Sequence, residues 1–96
     1  MNRPAAESPS SARFREANEK MMRDMSMVPT GDADRDFVQA MIPHHQGAID
    51  MARAALKGAD NAESKRLAEK TIGEQEKSIQ ELVAWLDKNA KKEGNR

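Results

Sequence analysis

The spacing of apolar and polar residues along the chain predicts three helices. The first is capped by Ser10 or Ser11 and runs to about Met25. The stretch "SMVPTGDAD" then interrupts the pattern, because Pro29 and Gly31 both disfavour a continuing helix. The larger apolar residues of this helix change from an aromatic ring to sulfur towards its end: Phe14, Met21, Met22 and Met25.

A second helix is capped by Asp32 or Asp34 and ends at Gly58. It carries two neighbouring rows of residues, each spaced alternately by four and three positions. The first row is Phe37, Met41, His44, Ala48, Met51 and Ala55. The second row is Val38, Ile42, His45, Ile49, Ala52 and Leu56. Two inward rows predict the middle helix of a bundle, with each histidine facing inward.

A third helix starts from a capping box of Asp60 with Glu63 and extends to about Asn89. Its inward row has one polar member, Gln75, and reads Ala68, Ile72, Gln75, Ile79, Leu82 and Leu86, with Leu67, Val83 and Trp85 beside it. Short connections make neighbouring helices antiparallel. The predicted fold is therefore an all-α antiparallel bundle of three long helices, ordered up, down and up, which self-association into a homodimer would complete to four.

The length of the chain allows one domain only. We expect a disordered lead-in at residues 1–10, a helical-bundle domain at residues 11–90 and a flexible tail at residues 91–96. Folding the chain about its two turns also predicts which residues are level with one another. The pairs are Met21 with Met41, Met25 with Phe37, and Gln75 with His44.

Composition narrows the function. The 96 residues include 16 basic and 16 acidic side chains, so the basic surface expected of a nucleic-acid or membrane-surface binder is missing. Cysteine is absent, which excludes disulfides and thiolate metal sites. No apolar run reaches the roughly 18 residues of a membrane span. The start "MNRPAAESPSS" lacks the apolar core of a signal peptide, so we expect a cytosolic protein or a chain that begins after a removed leader.

The stretch "AMIPHHQGAIDM" holds the candidate chemistry. Pro43 inside a helix costs about 3 kcal/mol when nothing compensates, and Gly47 adds about 1 kcal/mol. Pro43 directly precedes the only two histidines, His44 and His45, and Met41 lies one turn before both. Imidazole combined with thioether suits copper, especially copper(I), whereas zinc prefers cysteine or more histidines, and calcium and magnesium prefer oxygen. The pattern predicts a copper site.

The candidate ligands all lie on the first two helices: Met21, Met22, Met25, Met41, His44, His45 and Met51. Met51 is seven residues beyond His44, about 10 Å along the helix, so it belongs to a second site or an access path. Gln75 would hold a histidine tautomer by a hydrogen bond. Alternatively, the methionines fill the core and Gln75 satisfies a buried imidazole. The acids of "DADRD" are explained by helix capping, although Asp36 could also reach a metal.

The chain also resembles a known family. The stretch "TGDADRDFVQAMIPHHQGAIDMA", residues 30–52, closely resembles the signature of the CopM-type copper metallochaperones, a ferritin-like helical family. "KMMRDM" resembles the methionine-rich first helix of that family and "LAEKTIGEQEKSIQELVAWL" its last helix, so the resemblance covers residues 14–88. The chain departs from the family at Asn18 and Leu82, where a methionine is frequent, and at Met22, where a histidine is common.

The resemblance implies a periplasmic or extracytoplasmic bundle that binds copper and buffers it, or passes it to another copper-handling protein, during copper stress. The residues at matching positions are Met21, Met25, Met41, His44, His45 and Met51. We expect no enzymatic activity, no nucleic-acid partner and no membrane insertion. A di-iron enzyme would need Glu-x-x-His pairs, and neither histidine has a glutamate three residues before it. The remaining alternative is a metal-free helical module that binds a partner through a methionine-rich apolar surface.

Overall fold

Three helices account for most of the chain. The computed structural model describes residues 7–94, with side chains described as far as residue 89. The helices are α1 (Pro9–Asp24), α2 (Ala33–Gly58) and α3 (Ala62–Gly94), and no strand occurs between residues 7 and 94. The predicted all-α fold is therefore confirmed. Residues 1–6 of the predicted lead-in and residues 95–96 of the predicted tail lie outside the described range.

The cap of α1 lies earlier than the predicted Ser10 or Ser11. The Ser8 hydroxyl accepts a hydrogen bond from the Ser11 backbone N–H at 3.0 Å. Pro9 then takes the first helical position, where its missing N–H is not needed. The proline that was assigned to the disordered lead-in therefore starts the helix.

The caps of the other two helices follow from short polar side chains. Asp32 caps α2 as predicted, with its carboxylate accepting from the backbone N–H of Asp34 at 3.0 Å. For α3 the predicted capping residue, Asp60, is wrong by one position. Asn61 performs this role, because its side-chain oxygen accepts from the Ser64 N–H at 2.9 Å.

The helix α2 lies between α1 and α3, which pack on opposite sides of it. On the α1 side, the Met21 side chain lies against Gly47. On the α3 side, Val38, Ile49 and Ala52 are buried. No Cα atom of α1 comes within 8 Å of one in α3 in the described part of the chain. The Cα atoms span 56 × 38 × 14 Å, so the antiparallel helices form an open, single-layer bundle.

The approach of α1 to α2 depends on Gly47. A Cβ atom built at this buried glycine would lie 2.7 Å from Cγ and 2.9 Å from Cβ of Met21, and closer still to its sulfur. Met21 is therefore level with Gly47, whereas folding the chain about the turn predicted that it would be level with Met41. The shift is six residues, or about 9 Å along the helix. The glycine that the sequence pattern marked as a helix defect is where the two helices touch.

The loop between α1 and α2 explains this shift. The Asp36 carboxylate accepts hydrogen bonds from the Thr30 N–H at 2.8 Å, the Thr30 hydroxyl at 2.7 Å and the Gly31 N–H at 3.2 Å. Gly31 has φ of 94°, a conformation that side chains with a Cβ rarely adopt. These bonds fold the loop back along the first turns of α2, so the start of α2 projects beyond the end of α1. We call this arrangement the Asp36 clasp.

The first prediction concerns the contact at Gly47. Alanine at this position should destabilise the protein by about 1–3 kcal/mol, because the new Cβ displaces Met21 and this overpacking exceeds the gain in helix propensity. The control is Gly73→Ala in α3, where a Cβ would meet nothing within 4 Å and should stabilise by up to about 1 kcal/mol.

Urea denaturation followed by circular dichroism measures both effects. In a Met21→Ala background, Gly47→Ala should lose most of its cost, because the colliding side chain is gone. Equal stabilisation by alanine at both glycines would contradict a tight contact.

The second prediction concerns the Asp36 clasp and pH. The hydrogen bonds from Thr30, followed by that from Gly31, lower the pKa of Asp36 below its ordinary value of 3.8. A carboxylate with a lowered folded-state pKa stabilises the fold above the unfolded-state pKa, and this contribution disappears as the pH falls through the folded-state pKa. The free energy of unfolding should therefore fall below about pH 4, and Asp36→Asn should flatten this dependence.

Urea titrations between pH 2.5 and pH 6 measure the slope. Asp60→Asn is the control, since it removes an exposed carboxylate outside the clasp. If both variants kept the slope of the unsubstituted chain, the clasp would have no role in acid stability.

Candidate metal centre

Most of the candidate ligands share one broad side of the helical layer. Successive residues of a helix are rotated by 100° about its axis. By this rotation, the first row of the sequence pattern lies on one broad side of α2, between the side that contacts α1 and the side that contacts α3. The same construction for α1, with Ala17 buried against α2, places its sulfur-rich side on this surface. We define the methionine face by its members: Phe14, Met21, Met25, Phe37, Met41, His44, Ala48, Met51 and Ala55.

The other broad side of the layer is charged. The Lys20 ammonium lies 3.6 Å from the Asp50 carboxylate, and a groove of about 270 Å³ runs between α1 and α2. Its lining residues are Arg13, Glu16, Ala17, Lys20, Asp50, Arg53, Ala54 and Lys57. Charge therefore collects opposite the methionine face, which agrees with the placement derived from helix geometry.

The prediction that both rows of α2 face inward is correct for only one of them. In the second row, Val38, Ile49 and Ala52 are at most 7% exposed. In the first row, Phe37 is 60% exposed and His44 is also exposed. The first row lies on the methionine face, because α1 packs against the side of Gly47 instead. A histidine that was predicted to be buried is accessible.

The structure brings Met21 close to the level of His44. The sulfur of Met21 lies against Gly47, which is one turn after His44 and one turn before Met51. Met25 is the C-cap of α1 and lies about one turn further towards the His44 level. Thioethers from both helices therefore lie on the same surface as an exposed imidazole, within about one turn of its level.

Met22 lies outside the methionine face. It is 62% exposed and lies near the outer edge of α1, rotated away from α2. Of the seven predicted ligands, the structure therefore groups five on the methionine face: Met21, Met25, Met41, His44 and Met51.

His45 faces α3. It lines a groove of about 300 Å³ together with Val38, Ser78, Glu81, Leu82 and Trp85. Its Nδ1 atom lies 2.7 Å from the backbone carbonyl oxygen of Met41. A carbonyl only accepts hydrogen bonds, so Nδ1 carries a proton, and in the neutral ring the lone pair is then on Nε2. This leaves Nε2 ready to bind a metal, because ligating histidines commonly donate their other N–H to a backbone carbonyl.

The role predicted for Gln75 is therefore performed by the Met41 carbonyl. Gln75 is not among the residues that line the His45 groove, where Ser78 and Leu82 occupy the facing positions. The predicted pairing of Gln75 with His44 was wrong by about two turns, because His45 lies level with Ser78, Leu82 and Trp85. The carbonyl of Met41 was not recognised from the sequence, since every residue carries such a group and the pattern gives it no signal.

The two imidazoles are near each other without stacking. Their ring centroids are 6.0 Å apart, with the planes at 63°. Two imidazoles that bind one ion through nitrogens at about 2 Å place their centroids about 5–6.5 Å apart. The observed separation of His44 and His45 is thus compatible with a shared ion as well as with separate roles.

Oxygen and nitrogen ligands alone do not form a metal site here. Within residues 7–94, no three histidine, cysteine, aspartate or glutamate side chains are grouped so that they could hold an ion. Asp36, which was considered as a ligand, accepts three hydrogen bonds in the clasp.

Two features that position this site were not recognised from the sequence. Ala40, Gly47 and Ala54 form a row of small residues spaced by seven, which marks the side of α2 that α1 approaches. Asp36 follows Thr30 by six residues, a spacing that gives no standard capping signal. The row of small residues could have been recognised, whereas the clasp could not.

A comparison with protein families finds one match. The family described as a domain of unknown function (DUF305) matches residues 2–86. No curated protein matches the sequence. No helix in the described residues is both long and apolar enough to cross a membrane.

The third prediction concerns the tautomer of His45. At alkaline pH, where imidazoles are neutral, long-range ¹H–¹⁵N NMR correlations should identify His45 as the Nδ1–H tautomer, because the Met41 carbonyl accepts that proton. His44→Ala simplifies the spectrum to one imidazole and should leave this tautomer unchanged. An Nε2–H tautomer for His45 would show that the bond to the carbonyl does not persist in solution.

Proposed function

The chain belongs to the family described as a domain of unknown function (DUF305), and we propose from its own residues that it binds copper. The ion is copper(I), it is held on the methionine face, and the protein buffers it or passes it on. This function needs no catalytic group.

The observation that carries the proposal is the grouping of thioethers around an accessible imidazole. Met21 lies one turn from His44 across the helix contact, and Met41 lies one turn from His44 along α2. Thioether and imidazole are the soft and intermediate ligands that copper(I) prefers. Since hard ligands are not grouped in the described residues, copper(I) fits this surface better than zinc, calcium or magnesium.

The position of the ligands within the chain supports a carrier in preference to a permanent metal centre. In a single chain His44 is exposed, and Met21, Met25 and Met41 are only partly buried, so these ligands lie at the surface of the helical layer and outside its core. An ion held there can be exchanged without unfolding of the chain. The resemblance to the CopM-type copper metallochaperones supports the same cargo and an extracytoplasmic location.

The ligands have distinct roles in this proposal. Met41 and His44 come from one helix and give the site its core, while Met21 and Met25 add sulfur from α1. His45 uses Nδ1 for its bond to the Met41 carbonyl and offers Nε2 to the ion, and its ring centroid lies 6.0 Å from that of His44. Met51, near the end of the methionine face, and Met22, just outside this face, take the ion on arrival or departure.

The fourth prediction tests copper binding. Titration with copper(I) under reducing conditions, in competition with a chromogenic chelator, should give a dissociation constant below one micromolar. His44→Ala with His45→Ala should weaken binding at least about tenfold, because both imidazoles are lost. Unchanged binding in this double variant, or no submicromolar binding in the unsubstituted chain, would end the proposal.

A matched pair of methionine substitutions tests the location of the site. Met41→Leu removes a proposed ligand with little change in volume, and it should weaken copper(I) binding by at least about threefold. Met27→Leu is the control, because Met27 is 39% exposed in the loop and lies outside the methionine face. If Met41→Leu and Met27→Leu weakened copper(I) binding equally, copper would bind methionine side chains without a defined site.

A metal-free module that binds a partner is the second candidate. The exposure of Phe37 and Phe14 on the methionine face favours it, since exposed aromatic residues are common at protein interfaces. Thermal melts with and without copper(I) distinguish the two functions. A ligand that binds the folded state raises the melting temperature in proportion to its saturation, whereas a module without a metal site shows no shift.

A further inference from the structure

The methionine face lacks a covering layer. Phe37 on α2 is 60% exposed, and Phe14 on α1 is 39% exposed. A helix normally buries its apolar side against another element, and stable domains have at least two packed layers. The described part of this chain forms one layer, so the apolar side of that layer requires a second.

The dimensions of the chain support the same conclusion. Its radius of gyration is 17.0 Å, whereas a compact domain of this length has about 12.5 Å.

The buried core of one copy is also small. Among the described residues, the buried apolar side chains are Ala17, Val38, Ile49, Ala52, Ala54 and Ala68. Only Val38 and Ile49 in this set are larger than alanine. An alanine-rich seam allows close packing of helices, but it removes little apolar area from water. A second layer over the methionine face would bury the larger side chains that the monomer leaves exposed.

The first row of α2 is complementary to itself when it is reversed. In order, the row is Phe37, Met41, His44, Ala48, Met51 and Ala55. If two copies of α2 run antiparallel about a two-fold axis level with Gln46, each large ring meets a small residue. The pairs are Phe37 with Ala55, His44 with Ala48, and Met41 with Met51. A parallel arrangement would instead place each residue opposite itself, with phenylalanine against phenylalanine and alanine against alanine.

The row of α2 that forms this pairing carries no fixed charge. The first row contains no acidic or basic residue other than His44, and the formal net charge of the chain is zero. The charged groove between α1 and α2 lies on the other side of the layer and would remain in water. A two-fold pairing uses the same surface on both copies, so it forms a closed dimer and leaves no second binding surface for further copies.

We infer that the metal-free protein is a homodimer whose two methionine faces pack together, with α2 antiparallel to α2 of the second copy. The second copy provides the missing layer.

A consequence for copper rests on the proposed function. Within one copy, Met51 is seven residues from His44, too far along the helix to share an ion with it readily. In the antiparallel dimer, the partner's Met51 lies opposite Met41, one turn from His44. Each of two equivalent copper sites then takes sulfur from both copies, which completes a ligand set that a single copy leaves partial.

The fifth prediction tests the interface without metal. Sedimentation equilibrium of the metal-free chain should give twice the chain mass of 10.7 kDa. Phe37→Glu should raise the dimer dissociation constant at least about 100-fold, because it replaces the largest apolar side chain of the paired row with a charge that would lie against Ala55 of the second copy. Val83→Glu is the matched control, since Val83 is 41% exposed on α3 and helix geometry places it towards the charged side of the layer. Circular dichroism confirms that both variants keep their helices.

A monomer at all concentrations would overturn the inference, as would a dimer that Phe37→Glu leaves intact. The copper titration is a separate readout. If the Phe37→Glu monomer binds copper(I) as tightly as the unsubstituted dimer, the shared site is wrong while copper binding itself stands. If the dimer forms as described but binds no copper(I), the proposed function fails and the interface stands.

The orientation of the two copies is tested by engineered disulfides, since the chain has no cysteine of its own. A Met41→Cys chain and a Met51→Cys chain are mixed and oxidised with diamide. The antiparallel arrangement predicts a mixed disulfide in preference to either self-linked product, because a disulfide needs Cα atoms within about 7 Å. Predominant self-linkage of the Met41→Cys chain would show a parallel dimer and overturn the antiparallel pairing.

Discussion

The close contact between Met21 and Gly47 organises the rest of the structure. Because Gly47 has no side chain, α1 can lie directly against α2 there, with methionine sulfur filling the space of the absent Cβ. This contact commits one side of α2 to α1, and α3 takes the opposite side through Val38 and Ile49. The two remaining sides become the broad faces of a single layer. One face is charged, and the other carries sulfur, aromatic rings and His44.

The same stretch of α2 combines three features that are individually unfavourable in a helix. Pro43 lies inside α2 and removes one backbone hydrogen bond, yet the helix continues through it. The imidazole of His45 turns back to the Met41 carbonyl one turn earlier, at 2.7 Å. That bond adds a polar contact beside the proline and sets the tautomer of the ring. Pro43, the two histidines and Gly47 therefore lie within about one and a half turns of each other. Together they place His44 at the surface of α2, beside the point where α1 makes its closest contact.

The Asp36 clasp connects the loop to this arrangement. By accepting hydrogen bonds from Thr30 and Gly31, Asp36 sets where the chain leaves α1 and enters α2. That position determines which methionine of α1 meets Gly47, and therefore which sulfur lies near His44. A loop that released the start of α2 would allow α1 to slide, and the thioethers would move past the imidazole by about 1.5 Å for each residue of slip. Local loop chemistry thus controls the geometry of a site at the neighbouring end of the α1–α2 contact.

The sequence by itself determined the three helices, the cap at Asp32, the end at Gly58 and the residues that share each row of α2. These follow from short-range rules of periodicity, capping and helix breaking. Only the tertiary structure decided which row is covered, because periodicity identifies a shared side of a helix without identifying the neighbour that packs on it. It was wrong to place His44 inward and Gln75 beside it, and to count Gly47 as a defect. Each of these errors concerns register or contact, which depend on loop geometry and side-chain volume between residues far apart in the chain. The candidate ligands were chosen from residue type alone, and their grouping into five on one face and two elsewhere was decided by how α1 packs on α2.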